Sequence, residues 1–242
     1  VYGAIKQVDG TYATKKLCSS NLKEHLAVSK DGKYFIISGY TQEEKPQNVS
    51  QIYAISDDFS AKYIGITIAK LREASIIGHS TDTISVVGVE TESQNSSLVT
   101  YTVNVNDKAY KRIACIDFTA NQVPFIPTGI SESKILFLLK NGLSWNLAIA
   151  DMSSKKITSF DTGVTICKMS VNDDVILCSC APKQKGFPVY ASIRVSELLK
   201  TCKNMDTANA TDATPNTVIF KIYEQPYSGG VYEPIFCEDK IV

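Results

Sequence analysis

The stretch SKDGKYFIIS, Ser29–Ser38, joins a tight turn to an apolar run, and a second, mostly apolar run lies just before it at His25–Val28. The pair Asp31-Gly32 suits the positive φ angles that a two-residue hairpin loop demands. The pattern therefore predicts a β-hairpin. In this interpretation Asp31 and Gly32 shape a corner and do not perform chemistry.

The same corner recurs along the chain. The strands after these corners begin at Tyr34, Ile84, Ile135, Val175 and Ile241, at steps of 50, 51, 40 and 66 residues. A second series of apolar runs lies between them, anchored at Tyr2, Tyr53, Tyr101 and Tyr190 with steps of 51, 48 and 89 residues. If the last step counts as two periods, both series share a period of about 45–50 residues.

Each period holds two hairpins, and four short strands in a repeat of this length are typical of a β-propeller blade. The runs are rich in Val, Ile, Tyr, Phe and Thr, which indicates an all-β chain. Helical periodicity is confined to a short window, Val195–Asn204, with Ser196 as a candidate N-cap. Leu198–Cys202, inside this window, also occupies the place of an outer strand in the fourth period.

The two ends of the chain complement each other. The first residues carry only an outer pair of strands, and the last residues carry only an inner pair. We therefore predict a single propeller domain over residues 1–242, with five four-stranded blades and a composite closing blade from residues 1–20 and 217–242. The Thr-, Asn- and Ala-rich stretch at about 203–216 is predicted to be an exposed loop.

The turn at Ser29–Lys33 resembles the Ser-Pro-Asp-Gly-Lys turn of TolB-like and WD-repeat propellers and of the propellers of prolyl-oligopeptidase-type peptidases. Lys30 stands in place of the proline, and the other corners have drifted. Trp145 is the only tryptophan, and the Trp-Asp dipeptides that mark WD repeats are absent. The resemblance implies a propeller architecture and carries no functional residue to this chain.

Charge and hydropathy narrow the range of partners. The chain has 25 basic and 25 acidic residues, and this balance argues against a nucleic-acid or membrane-surface partner. No apolar run reaches the roughly 18–20 residues of a membrane span. Because the sequence begins at Val1 without an apolar leader, we interpret it as a mature form, an excised domain or part of a larger protein. The compartment stays open.

Cysteine and histidine usage does not favour a metal site. The chain has two histidines and no Cys-x-x-Cys pair, so neither a metal nor a cofactor is predicted. Most of the seven cysteines lie in β-like runs, where a thiol serves as a small apolar filler. One alternative is a disulfide between Cys167 and Cys178, which would lie nearly opposite each other if Val171–Asp174 turns a hairpin. The odd number of cysteines would still leave a thiol unpaired.

Three Asn-x-Ser/Thr sequons mark candidate glycosylation sites, at Asn48, Asn95 and Asn209. All three lie in predicted loops, where acceptor asparagines belong. About two such sequons would arise by chance in a chain of this composition, so they do not decide whether it enters the secretory route.

Signatures of catalysis are mostly missing, since the chain has no Gly-x-Ser-x-Gly elbow, no phosphate-binding glycine loop and no His-Glu-x-x-His. Glu24, Glu73 and Glu233 stand near the start of the innermost strand of three blades. If they converged at the axis, they would be weak candidates for the paired carboxylates of a glycosidase. His79 falls in a predicted turn and is interpreted as an ordinary polar residue. The pattern leans against an enzyme.

Aromatic residues near strand ends favour binding. Tyr40, Phe187, Tyr227 and Tyr232 lie there, and tyrosine is a favoured anchor in protein contacts. The leading hypothesis is a non-enzymatic propeller that binds a protein or another ligand through a loop face. One alternative is a secreted or surface five-bladed propeller that binds or cleaves carbohydrate. Another is that the chain is the propeller portion of a larger protein whose activity lies elsewhere.

Overall fold

The computed structural model describes residues 1–6, 9–22, 24–92, 95–131, 133–162, 165–181, 189–207, 221–224, 236–237 and 240–241. These residues form twenty β-strands and one helix, so the all-β prediction is confirmed. The chain divides into two compact units. The first comprises residues 1–118 with 127–133, and the second comprises residues 119–126 with 134–242. Within the described part of the chain, no helix is long and apolar enough to cross a membrane.

Four antiparallel sheets of four strands follow one another along the chain, each with its strands hydrogen-bonded in sequence order. We call them blades one to four. Blade one contains β3 (His25–Val28), β4 (Tyr34–Tyr40), β5 (Asn48–Ile55) and β6 (Ala61–Ala69). Blade two contains β7 (Leu71–His79), β8 (Thr83–Glu92), β9 (Asn95–Asn104) and β10 (Ala109–Phe118). Blade three contains β11 (Gln122–Gly129), β12 (Lys134–Asn141), β13 (Ser144–Asp151) and β14 (Lys156–Phe160). Blade four contains β15 (Thr165–Asn172), β16 (Val175–Ala181), β17 (Val189–Arg194) and β18 (Lys221–Glu224).

The predicted half-blades at the two ends are also present as strand pairs. In the first unit, β1 (Tyr2–Lys6) pairs with β2 (Tyr12–Lys16) in a two-stranded antiparallel sheet. In the second unit, β19 (Phe236–Cys237) pairs with β20 (Lys240–Ile241) in the same way. The repeat of two hairpins per period is therefore confirmed for four blades.

The hairpin at Asp31-Gly32 is confirmed, with a longer loop than predicted. The Ser29 amide donates to the Tyr34 carbonyl at 2.8 Å, and the Gly32 amide donates to the Ser29 carbonyl at 2.9 Å. Gly32 alone of the predicted pair has a positive φ, at 73°. The Ser29 hydroxyl donates to Asp31 Oδ1 at 2.8 Å and accepts the Tyr34 amide at 3.0 Å. These two side-chain bonds close the corner locally, as expected for Ser and Asp in turns.

Blades one and two share a core within the first unit. Strand alternation places Ile36, Ile52 and Ile68 on one face of blade one, and all three side chains are fully buried. They belong to one cluster with Leu71 and Ile84 of blade two. Burying each such side chain contributes about 1.5–3 kcal/mol relative to leaving it exposed, so this shared core is the main force holding the two sheets together.

Blade four departs from the predicted strand pattern. Leu198–Cys202 is not an outer strand, because helix α1 spans Val195–Thr207 and includes it. The outer strand of this blade is β18, which pairs with β17 from Val189 to Ser192. Ser196 does not cap the helix with its own oxygen. Instead Asp174, in the preceding hairpin, accepts the Ser196 amide at 2.8 Å and the Ser196 hydroxyl at 2.9 Å.

The predicted hairpin at Val171–Asp174 forms, but its register does not set Cys167 opposite Cys178. Met169 lies opposite Cys178, and Cys167 lies at an irregularity between Ile166 and Lys168. Both thiols are free in the structure. Cys178 is fully buried, and burial raises its pKa well above 9.0, as for a thiol that fills apolar space.

Candidate binding recess on blade one

A recess of about 370 Å³ opens on blade one, between the sheet and the segment Ser19–Leu22 that leads into it. This volume lies in the range of about 300–1,000 Å³ that is usual for ligand sites. We call it the blade-one recess. Its walls are formed by hydroxyl and amide side chains, two tyrosines and two aliphatic residues: Ser19, Ser20, Asn21, Leu22, Tyr40, Thr41, Gln42, Val49, Gln51, Tyr53 and Thr67.

The floor of the recess is the sheet face that points away from blade two. Successive side chains of a strand point to opposite faces, so Gln51 and Tyr53 share the face opposite to the buried Ile52. On β6 their partners are Thr67 and Tyr63. The register of this strand pair shifts between Gln51 and Tyr53. The polar patch is therefore a product of strand register.

A chain of hydrogen bonds orders the polar groups of the floor. The Tyr53 hydroxyl donates to Gln51 Oε1 at 3.1 Å, and Gln51 Nε2 donates to Thr67 Oγ1 at 3.5 Å. The Tyr63 and Thr67 hydroxyls lie 2.7 Å apart. Because a primary amide has two N–H groups and a carbonyl with two lone pairs, Gln51 keeps a donor and an acceptor for a ligand.

Packing beneath the floor fixes Tyr53 in place. Its ring stacks on Phe35 with centroids 4.9 Å apart and an interplanar angle of 3°. Leu22, Ile37 and Val49 complete this buried cluster. Burial raises the pKa of the Tyr53 phenol above 10.0, so its hydroxyl keeps its proton at neutral pH and can both donate and accept.

The rim of the recess is formed by the end of β4 and the loop after it. Tyr40 is the last residue of β4 and is 48 % exposed. The Thr41 amide donates to the Gln47 carbonyl at 3.0 Å, and the Gln47 amide donates to Thr41 Oγ1 at 3.1 Å. These two bonds close the loop behind Tyr40. The sequence therefore placed one predicted binding residue at a recess, and it missed Gln51, Tyr53 and Thr67.

Two of the three glutamates proposed for the axis lie in the first unit. Glu73 forms an ion pair with Arg72, with 2.9 Å between Arg72 Nη1 and Glu73 Oε1. Glu24 is exposed, and its amide donates to the Ser38 carbonyl at 3.1 Å. Glu233 lies outside the described residues, so the convergence of the three carboxylates stays a prediction. An arginine partner stabilises the ionised carboxylate, whereas a general acid must carry a proton.

The Asp31-Gly32 corner contacts blade two. Asp31 Oδ2 lies 2.9 Å from His79 Nε2, and the His79 ring meets the Tyr34 ring edge-on with centroids 5.0 Å apart. His79 is the last residue of β7 and not part of a turn. Partial burial acts to raise the pKa of Asp31, but hydrogen bonds from His79, Ser29 and the Lys33 amide outweigh it and lower the pKa to about 2.

This contact predicts a pH dependence of stability. Because the pKa of Asp31 falls from 3.8 to about 2 on folding, its contribution is present above pH 3.8 and is lost as the pH falls through about 2. We expect Asp31→Asn to lower the free energy of unfolding by about 1 kcal/mol at pH 6 and to flatten its decline below pH 4. The value is modest because water screens a side chain that is 36 % exposed.

Urea unfolding at pH 6, 4 and 2.5 measures this effect. Asp57→Asn is the matched control, because Asp57 is an exposed aspartate in the next hairpin of the same blade. The assigned role of the Asp31–His79 contact would be ruled out by an equal loss of unfolding free energy in the two variants. It would also be ruled out if the unfolding free energy of Asp31→Asn fell with decreasing pH as steeply as that of the wild type.

The other predicted residues are the sequon asparagines and the aromatic residues near strand ends. Asn48 begins β5, and its Oδ1 is buried without a hydrogen-bond partner among the described residues. Asn95 begins β9 and is exposed. The prediction that these two sequon asparagines lie in loops is therefore wrong, because each is the first residue of a strand. The residues Phe187, Asn209, Tyr227 and Tyr232 lie outside the described residues. The described residues contain no group of three or more His, Cys, Asp or Glu that could hold a metal.

Comparison with known proteins finds no matching family model and no matching curated protein. Among solved structures, the chain is similar to the putative TolB of Agrobacterium tumefaciens, at 10 % identity and a TM-score of 0.49, over 77 % of this chain and 66 % of that one. It is also similar to the β-propeller domain of the trilobed protease from Pyrococcus furiosus, at 12 % identity and a TM-score of 0.43, over 93 % and 71 % of the two chains.

A puromycin-hydrolysing peptidase of Mycobacterium tuberculosis is similar at 9 % identity and a TM-score of 0.46, over 76 % of this chain and 29 % of that one. The chain therefore spans less than two thirds of the TolB structure and less than a third of the peptidase. These similarities concern the fold alone. The peptidase and protease activities are those of the proteins named. The four-stranded sheets of the described residues are the blades of a β-propeller, and the chain is similar in fold to TolB and to peptidase propeller domains.

Proposed function

We propose that the chain is a non-enzymatic binding module that holds a ligand or a segment of a partner in the blade-one recess. The observation that carries this proposal is a preformed recess with polar groups and an aromatic rim on a rigid sheet. Strands hold the floor of the site, and hydrogen bonds order its side chains. Sites of this kind are built to bind, because their groups are positioned before the ligand arrives.

The chemistry of the recess supports binding over catalysis. Hydroxyl, amide and phenol groups at neutral pH donate and accept hydrogen bonds, but none of them is a strong acid or base. Two carboxylates of the first unit that the sequence singled out have structural contacts: Glu73 pairs with Arg72, and Asp31 accepts from His79 and Ser29. The proposal therefore assigns recognition to the recess and structural roles to these acids.

We also propose a fifth, closing blade. We extend the four observed blades to five, with β1–β2 and β19–β20 as the outer and inner halves of a closing blade. Two facts of the first unit support this. The sheet β1–β2 has two strands, half the number in each blade. Leu26 and Val28 lie on β3, at the sheet edge opposite to β6, and are exposed on the face away from the shared core. The inner strands of another blade would cover them there and leave the recess over β5 and β6 open.

Ligand-observed NMR tests the proposed function. A mixture of short uncharged peptides and oligosaccharides is presented to the wild-type protein and to Tyr40→Ala and Gln51→Ala. We expect at least one component to bind the wild type and to bind either variant about tenfold more weakly, because each variant removes about 1.4 kcal/mol of contact. Tyr12→Ala is the control, since Tyr12 is also 48 % exposed but lies on β2, away from the recess.

Binding that survives both recess variants would move the site elsewhere. Binding that Tyr12→Ala weakens equally would show a general effect of losing a surface tyrosine. Absence of binding by every component would contradict the proposed function.

A further inference from the structure

The geometry of the blade-one recess points to an uncharged, hydroxyl-rich ligand, such as the end of a neutral saccharide. This inference rests on the proposed function, since it names the ligand class of the same site. It follows from three properties of the lining: its charge, its hydrogen-bonding groups and its aromatic rim.

The first property is the charge of the lining. Every described residue that lines the blade-one recess is uncharged, although about a fifth of the chain is Asp, Glu, Lys or Arg. A second groove, lined by residues of blades one and two, differs because an ion pair between Lys70 and Glu92 lies in its wall. Among these described lining residues, a phosphate, a sulfate or a carboxylate would find no cationic partner. Burying an unpaired charge is costly, so the site selects neutral ligands.

The second property is the pairing of donors and acceptors. A sugar hydroxyl both donates and accepts, and adjacent hydroxyls present two such groups side by side. The Gln51 amide offers a donor and an acceptor on one planar group, with the Thr67 and Tyr53 hydroxyls directly beside it. Asn21 and Gln42 supply two further amides in the walls. These side chains can donate and accept hydrogen bonds at several neighbouring positions, as the hydroxyls of a polyol do.

The third property is the aromatic rim. Tyr40 lines the recess and leaves about half of its surface open. An aromatic ring has a broad apolar face, which packs against the C–H groups of a pyranose ring while its hydroxyl remains hydrated. Tyr53 has a different role. It is buried on Phe35 and presents its hydroxyl to the floor through Gln51.

A peptide fits the recess less well. Peptide anchors are chiefly aromatic and aliphatic side chains that fill apolar pockets. The aliphatic residues in this recess are Leu22 and Val49, and both are buried parts of the cluster beneath the floor. An apolar anchor would therefore lie against amides and hydroxyls and would desolvate them without replacing their hydrogen bonds. A saccharide replaces those bonds.

Isothermal titration with defined sugars tests the inference, after screening on a glycan array that carries neutral, sialylated and sulfated glycans. The probes for titration are maltose, cellobiose and N,N′-diacetylchitobiose, with a hydrophobic and a polar tetrapeptide as comparison ligands. We expect at least one neutral sugar to bind, with less than a twofold change in Kd between 50 and 500 mM NaCl, since no ion pair is screened. Gln51→Ala and Tyr40→Ala should each weaken that binding about tenfold.

The outcomes separate this inference from the proposed function. If a tetrapeptide or a charged glycan binds, and the recess variants weaken that binding, the recess is a site but the ligand class is wrong. If no probe binds, or if binding is unchanged in both variants, the inference and the proposed function both fail. Tyr12→Ala and the melting temperature of each variant show whether a loss reflects the site and not misfolding.

Discussion

Replacing Gly88 by alanine should lower the free energy of unfolding by about 2–3 kcal/mol, as measured by urea unfolding. A Cβ at this position would lie 2.5 Å from Leu71 Cδ1 and 2.7 Å from Leu71 Cγ. Leu71 is fully buried in the core that blades one and two share, so its side chain has little room to move. The extra methyl group would therefore push either Leu71 or strand β8 out of place.

Gly78→Ala is the matched control for this prediction. Gly78 lies on β7 like Leu71, it is exposed, and a Cβ built there meets nothing within 4 Å. We expect this variant to be neutral or stabilising by a few tenths of a kcal/mol, because alanine reduces the freedom of the unfolded chain. A Gly88→Ala protein as stable as Gly78→Ala would show that the core yields more easily than its packing implies.

The strand pattern could be predicted because its signals are local. Alternating apolar residues and the turn at Asp31-Gly32 each act within a few residues, and the repeat multiplies them. Tyr40 could be singled out as a candidate for the same reason, since a tyrosine at a strand end is visible in the sequence. Gln51 and Thr67 could not be singled out from the sequence. Their meeting depends on a cross-strand register that shifts beside Tyr53, and no local pattern encodes that shift.

The helix at Val195–Thr207 shows where local signals conflict. Leu198–Cys202 is a short apolar run that suits either a strand or a helix. A contact from outside the segment supports the helix, because Asp174 in the preceding hairpin accepts hydrogen bonds from the Ser196 amide and hydroxyl. A carboxylate at the start of a helix satisfies an amide that has no partner within the helix. The sequence contains Asp174, but it does not show that the hairpin turn lies at the helix start.

The contact between Asp31 and His79 is a third feature that the sequence could not predict. The two residues are 48 positions apart and belong to different blades, so nothing in either neighbourhood predicts their approach. The sequence correctly assigned Asp31 a structural role in the corner. It could not show that the same carboxylate also joins the corner to blade two.

Ser38→Ala should lower the free energy of unfolding by about 2 kcal/mol, because Ser38 belongs to a buried polar chain between blades one and two. The Ala74 amide donates to Ser38 Oγ at 3.0 Å, the Ser38 and Ser50 hydroxyls lie 2.8 Å apart, and Ser50 Oγ donates to the Leu71 carbonyl at 2.9 Å. Ser38 and Ser50 are both fully buried. Each hydroxyl has one hydrogen, and that of Ser50 goes to Leu71, so Ser38 must donate to Ser50.

The bond from the Ala74 amide to Ser38 results from an irregularity in β7. Glu73 has a positive φ of 49°, and the register of β7 with β8 shifts between Arg72 and Ser75. The Ala74 amide thereby turns away from the ladder of its own blade and bonds to Ser38 across the core. Removing the Ser38 hydroxyl leaves that buried N–H without an acceptor, which costs about 1–3 kcal/mol.

Ser50→Ala breaks the same chain at its other end and should cost less, about 1 kcal/mol. It deprives the Leu71 carbonyl of a donor and the Ser38 hydroxyl of an acceptor. An unpaired carbonyl is tolerated better than an unpaired backbone N–H, and a hydroxyl can rotate toward another acceptor. The double variant should lose less than the sum of the two single losses, because both substitutions remove the bond between the hydroxyls. Urea unfolding of all three proteins measures this, with Ser80→Ala in an exposed turn as the control, expected within about 0.5 kcal/mol of the wild type. Additive losses, or a Ser50→Ala protein less stable than Ser38→Ala, would refute the assigned direction of the chain and leave the two serines as independent contacts between the blades.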